Sequence, residues 1–111
     1  MELPKTNIDA SVKEAKKEGN MMTMEDITKK LHSDFNDEIQ DANTYLNMAM
    51  CVKRMEHHET AHYLCEMAKD EFSHAKFIHM YLVENGIEID EEDKADWHEL
   101  EERFRHEFGE A

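Results

Sequence analysis

Proline occurs once in these 111 residues and glycine three times, so few positions can break a helix or turn the chain sharply. Cysteine occurs twice, at Cys51 and Cys65, with no C-x-x-C pair, which excludes a rubredoxin-type or zinc-ribbon centre. No run approaches the ~18 apolar residues of a membrane span, and the opening MELPKTNIDASVKEAKK lacks the apolar core of a signal peptide. Basic residues are scarce: 13 Lys and Arg face 27 Asp and Glu, a formal charge of −14. That balance argues against nucleic acid and anionic membrane surfaces as partners, because both need a basic footprint. Metal cations are compatible with it. Both thiols fall inside helical patterns, where a buried free thiol is the expected state. A soluble, cytoplasmic, non-exported protein is the reading.

What remains is rich in helix formers: Glu, Lys, Ala, Met and Leu recur throughout, and nothing reads as a strand. The fold class expected is all-α. A chain of 111 residues that is 40% hydrophobic makes one small domain with a modest core, so oligomerisation or metal binding would help to stabilise it. Residues 1–22, polar and holding Pro4 and Gly19, are expected to form a flexible N-terminal arm. Thr23 and Asp26 have the spacing of a capping box, so a long helix should begin near Met24.

From there Leu31, Phe35, Glu38, Ala42, Tyr45, Ala49 and Val52 alternate in steps of four and three, a heptad seam widened by Ile27, Ile39 and Leu46. The polar run Arg54–Glu59 is the expected turn. A second seam follows at Ala61, Leu64, Ala68, Glu71, Ala75, Ile78 and Leu82, and Asn85-Gly86 supplies a left-handed stop. Residues 23–86 therefore read as an antiparallel two-helix hairpin. Residues 87–111 read as an acidic C-terminal helix: from 88 on there are 11 acids against three bases, with four acids at its start and a narrow stripe of Trp97, Leu100, Phe104 and Phe108 that needs a partner surface.

The chemistry concentrates in Glu71-Phe72-Ser73-His74. Residues i and i+3 share a helix face, so this carboxylate and imidazole can address one metal ion. Glu38 occupies the matching central position of the first seam. The midpoint of Glu38 and Glu71 falls at the expected turn, which sets the two at one level of the hairpin to within ~5 Å. Facing carboxylates in a half-buried seam demand metal or protons. Hard carboxylate oxygens with one imidazole per ion suit iron or manganese better than zinc alone or copper. A competing match, His58-Glu59-Thr60-Ala61-His62, has the H-E-x-x-H form of a zinc protease. That chemistry also needs a third ligand and a cleft flanked by a sheet edge, so the run is read as the polar start of the second helix. The nine Met lack a repeated spacing and read as adaptable core filling. His32, His79, His98 and His106 are expected at the surface.

Three runs resemble the ferritin-like superfamily, in particular its rubrerythrin and encapsulated-ferritin branch: EIQDANTY (Glu38–Tyr45), ETAHYLCEMAKDEFSHA (Glu59–Ala75) and LVENG (Leu82–Gly86). The resemblance covers roughly residues 28–86. It implies that Glu38, Glu71 and His74 are iron ligands and that Tyr45 is their neighbour, bonded to a ligand or redox-active. Full-length relatives carry the Glu and Glu-x-x-His pattern twice in a chain of four helices, whereas here it occurs once. Two chains about a two-fold axis would supply the complete set of four Glu and two His. The arrangement implied is a four-helix core completed by homodimerisation, in a dimer or higher even-numbered homo-oligomer.

The function implied is that of a di-iron ferroxidase, oxidising Fe(II) with O2 or peroxide at a shared site in iron homeostasis or oxidative-stress protection. Two rivals stand beside it: a rubrerythrin-like peroxide reductase fed by an external electron donor, and a non-enzymatic metal-binding dimerisation module. Relatives of this size work inside a protein nanocompartment, docked to an encapsulating shell protein by a C-terminal peptide. The tail RFRHEFGEA does not resemble that peptide.

Overall fold

The computed structural model describes residues 21–109. Most of the arm expected over residues 1–22 thus lies outside the described residues. Among these residues the chain is all-helical: α1 (Met24–Arg54), α2 (His58–Glu84) and α3 (Glu91–Phe108). No helix among them is long and apolar enough to cross a membrane.

The described chain divides after Asp34 into two compact units. In the first, Thr23 Oγ1 accepts from the Asp26 amide at 3.0 Å while Asp26 Oδ2 accepts from the Thr23 amide at 3.2 Å, the reciprocal bonds of a capping box. α1 starts at the next residue. Lys29–Glu25 and Lys30–Asp34 ion pairs run along its first turns.

In the second unit the pairs Phe35–His79 and Glu38–His74 show that α1 and α2 run antiparallel, since numbers rise on one helix as they fall on the other. The turn between them is shorter than the polar run Arg54–Glu59 suggests. It closes in Met55–His57, with the His57 amide donating to Val52 O at 2.9 Å around Glu56 at φ 66°. A left-handed non-glycine residue costs about 1–2 kcal/mol, and no glycine marks the place. At the other end of α2 a glycine does: Gly86 at φ 67° lets the Ile87 amide reach Leu82 O at 2.9 Å.

α3 begins at Asp90, whose carboxylate accepts from the Asp93 amide at 2.8 Å. It packs on the hairpin through the predicted stripe. Phe72 lies between two α3 rings, stacked on Phe104 at 4.5 Å and on Trp97 at 5.4 Å between centroids. Phe104 and Leu100 are fully buried, and truncating a buried Phe to Ala costs about 3–5 kcal/mol. A polar line on α1 completes the docking. Asn36 donates to Asp93 Oδ1 at 2.9 Å, and Arg103 donates to Asn43 and Asn47 at 2.8 and 2.5 Å. α3 is therefore parallel to α1 and antiparallel to α2.

The expected seams are buried at Phe35, Ala42 and Ala49 on α1, with the flanking Ile39 and Leu46, and at Ala61, Ala68, Ala75, Ile78 and Leu82 on α2; Glu38, Tyr45 and Glu71 stand at the margin rather than in the core, and Phe72 is buried beside Glu71. Two further expectations are corrected. Cys51 is exposed and Cys65 half-buried. His79 is half-buried rather than a surface residue, stacked on Trp97 at 5.2 Å. Burial pushes its pKa below the usual 6.5, against a smaller upward pull from Glu101. The unfolded chain therefore takes up a proton at higher pH than the folded one, and stability is lost as pH falls below about 6.5. His79→Phe should remove this loss, giving metal-free protein whose melting temperature changes less between pH 7.5 and 5.5 than the wild type's. An equal decline in both proteins would show that His79 is not a source of it.

Candidate metal centre

α1 and α2 bring three of the four site residues read from the sequence together. Ligand atoms of Glu38, Glu71 and His74 all lie within 4.8 Å of one another. His74 Nδ1 is 3.0 Å from Glu71 Oε1 and 3.4 Å from Glu38 Oε2. Tyr45 sits half-buried about two helical turns from Glu38 along α1, on nearly the same stripe.

The cluster's place follows from the rotation of α2. Consecutive helix residues point about 100° apart, so with Phe72 fixed between Trp97 and Phe104 its neighbour Glu71 is turned away from α3. On α1, Asn36, Asn43 and Asn47 face α3, and Glu38 lies on the far side of the buried stripe from them. The cluster therefore occupies the hairpin flank that α3 leaves uncovered. The carboxylates are recessed, with side chains 23% and 20% exposed for Glu38 and Glu71, whereas His74 at 59% stands at the mouth.

The electrostatics are those of acceptors short of cations. Glu38 Oε2 is buried without a hydrogen-bond partner; at 3.4 Å His74 Nδ1 lies within ion-pair reach but out of hydrogen-bond geometry. Burial, and then the neighbouring Glu38 as both a charge and an acceptor for any proton Glu71 carries, hold the Glu71 carboxyl above its usual 4.5. His74 opposes this and Asp41 adds to it. Asp41, one turn beyond Glu38, was not singled out in the sequence, although its i,i+3 spacing from Glu38 on the same face is a usable signal. Among the described residues, no Lys or Arg is among the charges that shift the Glu71 carboxyl. Two oxygen donors and one nitrogen donor with an orphaned buried oxygen fit a hard to borderline divalent cation. Binding would compete with any proton on Glu71.

The H-E-x-x-H residues lie elsewhere. His58, Glu59 and His62 are exposed on the first turns of α2, and His62 is about 13 Å along the helix from Glu71. No strand occurs among the described residues to flank a cleft.

Without metal, the raised Glu71 pKa stabilises the fold fully below about pH 4.5, and that contribution is lost as pH rises through the folded value. At neutral pH the ionised pair is thus a destabilising element. Glu71→Gln removes one charge and offers Glu38 a donor. Chelator-treated Glu71→Gln should melt higher than wild type at pH 7, show a smaller decline between pH 4.5 and 7, and lose divalent-ion binding. A variant that melts lower than wild type at pH 7 would contradict the repulsion. Set against known proteins, the chain matches no family model, no curated protein and no solved structure, so the centre is read from its own donors and geometry.

Proposed function

We propose that this chain is one half of a di-iron ferroxidase, in which two copies join their uncovered hairpin flanks and share a site for two Fe(II) ions. The observation that carries this reading is the convergence of Glu38, Glu71 and His74 within 4.8 Å on the open flank, with a buried carboxylate oxygen that lacks a partner. Three donors are too few for two ions. Two copies supply four Glu and two His, a set known to suffice in helix-bundle carboxylate sites. The ferritin-like resemblance of residues 38–45 and 59–75 points the same way.

In this reading Fe(II) is the substrate. Two Fe(II) each give up one electron. O2 takes both electrons and two protons and leaves as hydrogen peroxide, or peroxide takes them with two protons and leaves as two waters. The chain's part is to hold the ions side by side and balance their charge: Glu71 as the shared carboxylate, Glu38 and His74 as terminal donors. Carboxylate donors favour the higher iron charge, which assists loss of the electron. Manganese(II) fits the same donors.

Stopped-flow absorbance after mixing anaerobic Fe(II)-loaded protein with O2 tests the activity, and light-scattering mass with and without Fe(II) tests the sharing. Expected are rapid Fe(III) absorbance, an Fe(II)-dependent shift from the 13.2 kDa chain to twice that mass, and loss of both in Glu71→Ala. Metal binding without Fe(III) formation would instead indicate a non-enzymatic binding module. His58→Ala with His62→Ala should leave oxidation rate and mass shift within about twofold of wild type, because those residues lie about 20 and 13 Å along α2 from Glu71. Loss of all bound metal in that double variant would move the site to the turn.

A further inference from the structure

The flank that carries the cluster continues toward the hairpin turn as an apolar surface on the same stripes. Seven residues along a helix return to nearly the same direction, about 20° off. In that sense Tyr45 continues the stripe of Glu38, Met48 that of Asp41, Leu64 that of Glu71 and Met67 that of His74. Tyr45 and Leu64 are half-buried, while Met48 and Met67 are 45% and 42% exposed. The register set by Phe35–His79 and Glu38–His74 places Met48 and Met67 within a turn of the same level, one on each helix. Six of the nine large hydrophobic side chains exposed among the described residues are methionine, so this surface can be made polar by oxidation.

We infer that Met48 and Met67 form the apolar part of the surface a second copy covers, and that their oxidation to sulfoxide by hydrogen peroxide blocks that association. The inference rests on the shared-site reading above, and the occupant follows from it, because these side chains continue the stripes whose ligand set is incomplete in one copy. In the oxidation the thioether sulfur loses two electrons and gains an S–O bond. The O–O bond of the peroxide breaks, and its second oxygen leaves as water. Each sulfoxide replaces apolar surface by a strong acceptor, and a two-fold contact would contain four of them. Peroxide is also what O2 becomes when it takes two electrons, so accumulated product would act on unassembled copies first.

The test uses the full chain after chelation. One arm oxidises it with hydrogen peroxide, removes the peroxide with catalase, measures sulfoxide at each methionine by peptide mass spectrometry, then adds Mn(II) and records mass by light scattering. Oxidised wild type should remain at 13.2 kDa, while Met48→Leu/Met67→Leu treated identically should double its mass as the untreated wild type does. A second arm adds Mn(II) before peroxide. Met48 and Met67 should then be protected, and Met80, 51% exposed on another face of α2, should oxidise as before. Oxidised wild type that still doubles its mass, an oxidised double variant that no longer does, or equal oxidation at Met67 and Met80 with Mn(II) present would overturn the inference. If untreated wild type does not change mass with Mn(II) or Fe(II), the shared-site reading itself falls, and this inference with it.

Discussion

Two carboxylates held side by side are the constraint from which the rest of this molecule can be understood. Glu38 and Glu71 come from helices that meet only because the hairpin closes, and each is recessed enough to lose part of its hydration. The local cost appears as a raised Glu71 pKa and as an oxygen of Glu38 with no donor. His74 offsets part of it at 3.0 Å. Either acid replaced by an apolar or amide residue would relieve that cost, and so would a ligand that supplies positive charge.

The hairpin by itself does not determine where those acids point. That is decided by Phe72, the residue next to Glu71. Its ring is stacked within 6° of parallel on Phe104 and within 17° on Trp97, which fixes the rotation of α2 about its own axis. A turn of α2 by one residue would bring Glu71 toward α3 and Phe72 toward water. The acidic third helix thus has a mechanical part in the centre although it contributes no ligand: it anchors the ring that aims the carboxylate.

These relations explain what was legible in the sequence. Helix ends carried by side-chain chemistry could be read directly: the Thr23–Asp26 pair, Gly86 after α2, and the acids opening α3. The clustering of Glu38, Glu71 and His74 could be read too, because Glu71 and His74 are neighbours on one turn and Glu38 matches them in level. The exact core stripe was not legible. Heptad spacing fits Phe35, Glu38, Ala42 and Tyr45 as well as Phe35, Ile39, Ala42 and Leu46, and only the docking of α3 chooses the second. Hydrophobic periodicity also cannot reveal Asn36, Asn43 and Asn47, whose role is to pair with Asp93 and Arg103. His79 was assigned to the surface because a lone imidazole on a helix says nothing of the indole that comes to cover it. The hairpin turn was legible only as the polar run Arg54–Glu59, because Glu56, not glycine, takes the left-handed conformation.

The two flanks of the hairpin make opposite demands. On one, a line of amides presents donors and acceptors together, and a helix of the same chain satisfies it with Asp93 and Arg103. On the other, Glu38 and Glu71 present acceptors only, and the charges acting on Glu71 are two more carboxylates and one imidazole. A polypeptide could answer that demand with Arg or Lys, as Arg103 does for the amides, but among the described residues none shifts the Glu71 carboxyl. An identical copy brings the same acceptors, so the carboxylate parts of two such flanks repel each other when they meet alone. On the reading proposed above, divalent cations between them would reverse the sign: each ion would meet oxygens from both sides, and repulsion between empty flanks would become attraction between filled ones. Cation binding and association at this surface would then be one equilibrium rather than two.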